Sequence, residues 1–510
     1  MVEPWGSVRI RSPQGRWVLF ATILGTGMVF LDGTVVNVAL PSLGRDLDAG
    51  LSGLQWVINA YTLTLAALIL LGGSLGDRLG RRRVFVFGLV WFAVASLLCG
   101  LAPNVPFLVA ARALEGVGGA LLTPGSLALI QASFDREDRA RAIGTWSGFA
   151  GITTALGPLL GGWLVDAVSW RWVFLINLPL AVIVLLVAVR HVPESHDPTV
   201  TGRFDVLGAA CCAAGLAGIT YALIEAPNDG ATGPVVVAAV AGCAAAVAFV
   251  VVEQRSSHPM LPLGIFRSAQ FTAANLVTFT VYAAFGGQAF FLIVQLQVVG
   301  GFSALAAGSA FLPITLLMLL LSPHAGTLAQ RIGPRRPMTL GPLVMAAGLV
   351  LLSRAGPGVS YAADVLPGVL LFGLGLAATV APLTATVLGS APQEHAGLAS
   401  GVNNAVARAG GLLAVAVLPL AVGLSGEEYQ DPAAFSGPYR AAMLICAGLL
   451  ALGGVLAWWK VRDDVLVQPD VTAVDARVAT CHPEPVCRVA STVGAPPLDP
   501  GMPGRPREVA

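Results

Sequence analysis

Four ionisable side chains lie inside stretches that are otherwise apolar: Asp32, Arg112, Glu115 and Arg408. A charge within a membrane span costs about 2.5–3.5 kcal/mol on insertion scales, so each is a candidate functional group. Asp32 stands in LDGTVVNVALP, on a helix face with Gly25, Met28 and Val36. A buried carboxyl can take up and release a proton as its surroundings change, which makes Asp32 the first candidate for proton coupling; an aspartate hydrated at the helix end is the alternative. Arg112 and Glu115 are three apart, and Gly116, Gly119, Thr123 and Ser126 continue their stripe. Arginine keeps its proton. Arg112 is therefore expected to be a fixed positive charge with Glu115 as its titrating partner, and a static ion pair holding the helix is the alternative.

Polar stripes recur on other apolar segments. Gln55, Asn59 and Thr62 share a face; Gln288 and Gln295 line up, with Tyr282 nearby; Ser400, Gly401, Asn404, Arg408 and Gly411 form a third. Together they are expected to line a central path for a small-molecule substrate, and interhelical hydrogen bonding without a ligand is the plainer reading of each. Nothing supports an enzyme: there is no GxxxxGK[ST] phosphate loop and no HExxH. The expected energy source is an ion gradient, with no cofactor. Five of the seven cysteines lie in apolar spans, and Cys481, His482 and Cys487 match no zinc spacing, so neither a disulfide framework nor a metal is expected.

The elements that must position these groups are membrane helices. Of 510 residues, 56% are hydrophobic and 11% charged, against roughly 25% charged in soluble domains. A net charge of +1 argues against a nucleic-acid partner. Apolar runs of membrane length give fourteen spans, from residues 17–40 to 439–459, and among them 172–189, 304–321 and 338–353. With both termini cytoplasmic, only Arg45, Arg171, Arg354 and Arg440 fall on outer segments, as the positive-inside rule requires.

The fifth span carries AGITTALGPLLGG, where Gly151, Gly157, Pro158, Gly161 and Gly162 cluster; Gly144, Gly148, Gly151, Ala155, Pro158 and Gly162 share one face. Such a face lets two helices approach closely, and the proline supplies a bend. GSLGDRLGRRR at 73–83 matches GTLAQRIGPRR at 326–336 with a constant offset of 253 residues (326 − 73). The first copy, with Gly73, Asp77, Arg78, Gly80, Arg81 and Arg82, reads as a cytoplasmic gating loop. Gln330 replaces Asp77 in the second copy. The repeat implies two six-helix bundles, 1–190 and 269–460, with a linker and two inserted helices at 191–268 and a Pro-rich disordered tail at 461–510.

These motifs resemble those of the major facilitator superfamily, and specifically its fourteen-helix drug:proton antiporter family. GSLGDRLGRRR is similar to the loop motif after helix 2, RALEGVGGA (112–120, with its arginine first) to the helix 4 motif, and GITTALGPLLGG to the antiporter motif of helix 5; LDGTVVNVALP, WRWVFLINLP and HPMLPLGIFR are similar to further signatures. The resemblance implies proton-driven export of small amphipathic or cationic compounds, drugs and antibiotics among them. Asp32 and Arg112 would act in coupling, and Gly157 and Pro158 in the antiporter bend. Glu115 stands where the family commonly has glutamine, and so adds a second carboxylate. A plasma-membrane monomer is expected. The alternative is proton-coupled uptake or facilitated transport of a metabolite; a membrane sensor using the tail as output is a further rival.

Overall fold

The computed structural model describes residues 8–196, 205–256, 259–391 and 396–463. Among them the fold is all-α, the sole β pairing being an isolated bridge between Val8 and Phe134. The first group of helices comprises α1 (Pro13–Asp46), α2 (Leu51–Leu79), α3 (Arg81–Gly100), α4 (Val105–Ser133), α5 (Arg136–Ala167), α6 (Trp172–Leu175) and α7 (Asn177–His191). A hairpin of α8 (Val206–Asp229) and α9 (Gly233–Arg255) follows. The second group is α10 (Ala269–Val294), α11 (Ala304–Ser309), α12 (Leu312–Ile332), α13 (Arg335–Leu352), α14 (Leu366–Gly389), α15 (Ala396–Ala421) and α16 (Pro432–Lys460).

Local sequence sets these boundaries. Ser12 and Asn104 accept hydrogen bonds from Gly15 N and Phe107 N at 3.1 and 3.0 Å, and a proline follows each cap within the first turn. Among the described residues thirteen helices are long and apolar enough to cross a membrane, one fewer than the fourteen expected. The remaining expected span, 338–353, falls in α13, whose 18 residues open on Arg335 and Arg336. Two spans are broken. The 172–189 span divides at Ile176 into α6 and α7, and the 304–321 span divides at Ala310 and Phe311, with α12 running on to Ile332.

The stretch at 73–83 is not a loop. Helix α2 continues through Gly73, Asp77 and Arg78 to Leu79, Gly80 alone makes the joint, and Arg81 and Arg82 open α3. Gly80 has φ +106° and Gly333, its counterpart in the repeat, has φ +84°. Both joints therefore need the backbone freedom of glycine. Asp77 pairs with Arg81 at 2.9 Å.

Each joint is gripped by an acid beyond the last helix of its group. Glu194 Oε1 accepts from Arg82 N at 3.1 Å, and Asp463 Oδ1 accepts from Arg335 N at 3.0 Å. Arg82 and Arg335 differ by 253, the offset of the repeat, and the two acids each lie three residues beyond His191 and Lys460. The duplication thus extends from sequence to hydrogen bonding.

The α8–α9 hairpin packs through Gly215, Gly218 and Gly242, whose added Cβ atoms would each collide with the facing backbone. It is tied to α2 by Trp56 Nε1 donating to Glu225 Oε1 at 2.8 Å. Helix α9 otherwise presents Val237, Val240 and Val247 outward, each about two-thirds exposed, as a lipid-facing helix would. The expected tail at 461–510 lies outside the described residues apart from 461–463, as do Cys481, His482 and Cys487.

The two groups of helices meet most tightly at one end. There Gln297 Nε2 donates to Val38 O at 2.9 Å, Tyr429 Oη to Ala49 O at 2.7 Å, and the Asp166 carboxylate accepts Ala304 N and Leu305 N at 3.2 and 2.8 Å. Arg171 and Asp46, 3.7 Å apart, lie at this end, opposite the Gly80 and Gly333 joints.

Candidate functional site

Close approach of α2 and α4 builds the site. A Cβ on Gly116 would collide with the Tyr61 carbonyl and the Thr64 hydroxyl, and Thr64 Oγ1 donates to Ala113 O at 2.9 Å. That contact brings Arg112 under α2, where its Nε donates to Val57 O at 3.0 Å. From α1, Asp32 Oδ2 lies 2.5 Å from Arg112 Nη1, and Glu115 Oε2 lies 2.6 Å from the same nitrogen. All three side chains are buried, none more than 1% exposed. The Tyr61 ring lies 4.3 Å below the guanidinium carbon and Phe174 5.5 Å from it.

Glu115 is held on both oxygens: Oε1 accepts from the Ser96 hydroxyl, and Cys99 Sγ lies 3.4 Å from Oε2. Asn177 Nδ2 donates to Ser96 Oγ at 3.0 Å, because the break between α6 and α7 puts Asn177 at the start of a helix facing α3. Asp32 differs. Its second oxygen, Oδ1, is buried with no hydrogen-bond partner. Two carboxylates around one guanidinium carry a net charge of −1, and one added proton makes the group neutral. The arrangement can therefore toggle its charge on a single protonation, at the carboxylate with a free oxygen.

Sequence patterns single out Asp32, Arg112 and Glu115 and pair the last two; the structure brings Asp32 to them, along with Ser96, Cys99, Tyr61 and Asn177, which the patterns do not mark. Asn177 carries a readable signal, an amide inside WVFLINLPLAV. Ser96 and Cys99 carry none, since serine and cysteine are ordinary in apolar helices.

Helix α5 shows where the glycine cluster acts. A Cβ on Gly161 would come within 2.6 Å of Val35 Cγ2, and one on Gly157 would collide with Thr34. A Cβ on Gly162 would reach within 2.6 Å of Leu305 Cα, and one on Gly308 would strike the Pro158 carbonyl. Thr34 Oγ1 lies 3.1 Å from the Thr154 carbonyl, the one Pro158 leaves without its helical donor. The expected continuous contact face is divided: Gly144, Gly148 and Gly151 have nothing within 4 Å of an added Cβ. The glycine face of α5 is locked against α1 and α11 over its C-terminal half and bare over its N-terminal half, although Trp146 Nε1 on another face of that half donates to Thr26 Oγ1 at 3.1 Å.

The polar stripes separate likewise. Gln55 Nε2 donates to Val415 O at 2.7 Å, joining the two groups of helices. Gln295 Nε2 donates to Ala355 O at 2.9 Å, a bond within the second group. The amides of Asn59 and Gln288 are fully buried and neither atom of either has a partner. Arg408 Nε donates to Asn404 Oδ1 at 2.9 Å, and its guanidinium carbon lies 5.5 Å from the Phe30 ring.

Two helical groups with duplicated joints, sealed at one end around buried charge, define a membrane transporter. The family model for the Major Facilitator Superfamily matches residues 22–415, and the chain belongs to that superfamily. It is 38% identical over 405 residues to the multidrug resistance protein Stp of Mycobacterium tuberculosis, covering 78% of this chain and 74% of that one. A puromycin resistance protein of Streptomyces alboniger is 37% identical over 466 residues, covering 88% and 91%. Among solved structures, a peptide transporter POT in complex with sulfate superposes with a TM-score of 0.63 at 17% identity, covering 88% of this chain and 98% of that one, and shows the shared fold.

Proposed function

We propose that this chain is a proton-coupled antiporter of the plasma membrane, exporting small amphipathic compounds such as drugs and antibiotics. The observation that carries the reading is the buried Asp32–Arg112–Glu115 group, whose charge changes with one proton and which touches α1, α2 and α4 at once. The resistance relatives supply the export direction. With both termini cytoplasmic, the end sealed by Asp166, Gln297 and Tyr429 faces outward, and the bare glycine face of α5 at Gly144, Gly148 and Gly151 lines the cytoplasmic opening. This is an inward-facing state.

In the cycle, ionised Asp32 binds Arg112. Protonation from the outside removes that bond, leaves Arg112 to Glu115 alone, and frees α1 to shift against α4 as the bundles rock about the closed glycine contacts. Loss of the proton to the cytoplasm restores the Asp32–Arg112 bond and returns the carrier to the state that takes up substrate. The chain works as a monomer with no cofactor, and the proton gradient supplies the energy. Glu115 is the second carboxylate of the group. If it titrates in the cycle, Glu115→Gln lowers the protons moved per substrate, and an unchanged count assigns it a standing charge.

The test is movement of fluorescein, ethidium and puromycin, an anion and two cations, in energised everted vesicles. Accumulation that collapses with a protonophore supports export by proton exchange. Release of preloaded compound under the same gradient supports proton-coupled uptake, and movement insensitive to the gradient supports facilitated transport.

A further inference from the structure

Arg408 is the other cation of the membrane region, half-buried, and its surroundings are the reverse of those of Arg112. Arg112 has two carboxylates and a backbone carbonyl. Among the described residues Arg408 has no carboxylate within 4 Å, and its Nε donates to Asn404, one turn away on its own helix. An intramembrane charge without a counter-ion is retained against a cost of insertion and desolvation that a neutral side chain would avoid.

Register fixes where this charge points. Gly401, Arg408 and Val415 are spaced by seven and share a face of α15. A Cβ on Gly401 would lie 2.8 Å from Leu70 Cδ2, and the Val415 carbonyl accepts from Gln55, so that face meets α2. Arg408 therefore lies across from the α2 segment between Gln55 and Leu70. Asn59 stands there, one turn from Gln55 on the same face, fully buried and with neither amide atom partnered. The Phe30 ring, 5.5 Å from the guanidinium carbon, supplies an aromatic wall.

We infer that the exported compound carries an acidic group, a carboxylate or an ionised phenol, on a flat aromatic frame. The acid pairs with the Arg408 guanidinium, the Asn59 amide bonds a neighbouring oxygen, and the frame lies against Phe30. This inference rests on the export reading and selects, from the amphipathic and cationic chemistries the resemblance implies, an amphipathic acid. A guanidinium offers donors matched to a carboxylate and repels an ammonium.

Two xanthene dyes of one frame and opposite charge test it. Binding of fluorescein and of rhodamine 6G is measured by fluorescence anisotropy on the full chain in nanodiscs, without a gradient. Fluorescein is expected to bind about tenfold or more tighter than rhodamine 6G, and Arg408→Gln to weaken fluorescein by about tenfold or more while sparing rhodamine 6G. Arg408→Lys should restore part of the loss. Asn404→Ala, which only releases the guanidinium, should weaken fluorescein less and keeps the test open if Arg408→Gln fails to fold. Rhodamine 6G binding as tightly as fluorescein, or fluorescein binding unchanged in folded Arg408→Gln or Asn404→Ala, overturns the inference. Because no gradient is applied, its failure leaves proton exchange in vesicles standing, and failure of proton exchange leaves the binding result standing.

Discussion

The two halves of the molecule agree at their edges and differ at their centres. Gly80 with Glu194 and Gly333 with Asp463 form the same joint, down to the acid that accepts from the N–H of Arg82 or Arg335. At mid-membrane the first half holds three paired charges, while the second holds Arg408 bonded to Asn404 and an unpartnered Gln288. Duplication has kept the mechanical parts. The chemistry sits in parts that are not duplicated, so damage to the two classes should read out differently.

The largest effect is expected from Arg112→Gln, which leaves two buried carboxylates facing each other without their cation. Losing one partner of a buried ion pair costs about 3–5 kcal/mol. Thermal unfolding in detergent should show the loss, and proton-driven export should vanish. Asp32→Asn should spare the fold and abolish coupling. It removes one charge from a group that retains the Arg112–Glu115 pair, so a small change in midpoint with no gradient-driven transport is the expected combination.

Next in size are the glycines of α5, where the division between its halves becomes a test. Gly161→Val forces side-chain atoms into Val35 and should cost about 1–3 kcal/mol as overpacking, with loss of export by failure to seal that end. Gly148→Val meets nothing in this state and should leave stability unchanged. If both substitutions slow export equally, the bare half closes on a partner in the opposite state. If only Gly161→Val does, the mechanics lie in the locked half.

The smallest effect, and the sharpest for symmetry, concerns the joints. Gly80→Ala and Gly333→Ala each place a Cβ at positive φ and against an acid, and each should cost about 1–2 kcal/mol. Near-equal shifts in unfolding midpoint would support mechanical equivalence of the halves. A shift confined to Gly80→Ala would assign the device to the first half alone.

Much of this was legible before any coordinates. Buried charge in an apolar sequence is costly enough that Asp32, Arg112 and Glu115 stand out by type, and helical spacing joins the last two. The ungapped repeat exposed both glycine joints. It missed Glu194 and Asp463 because these are separated by 269 residues (463 − 194) rather than 253, so insertions between joint and acid hide their equivalence. The 73–83 stretch reads as a loop in sequence because its arginines signal a membrane surface, and a surface does not end a helix; only Gly80 does. Asp166 was invisible for a different reason. Its role as acceptor for two N–H groups at the start of α11 depends on which helices meet across the interface, and spacing within one helix says nothing of that.

The central proposal is that a proton carried by Asp32 against Arg112 is exchanged for the exported compound. Its most direct test counts protons against substrate in proteoliposomes holding a pH-sensitive dye, with wild type and Asp32→Asn compared at matched protein content. The account predicts that wild type moves protons opposite to substrate, and that Asp32→Asn lets substrate equilibrate down its gradient with no proton movement. Proton movement coupled to export in Asp32→Asn would contradict it and place the coupling proton on another group.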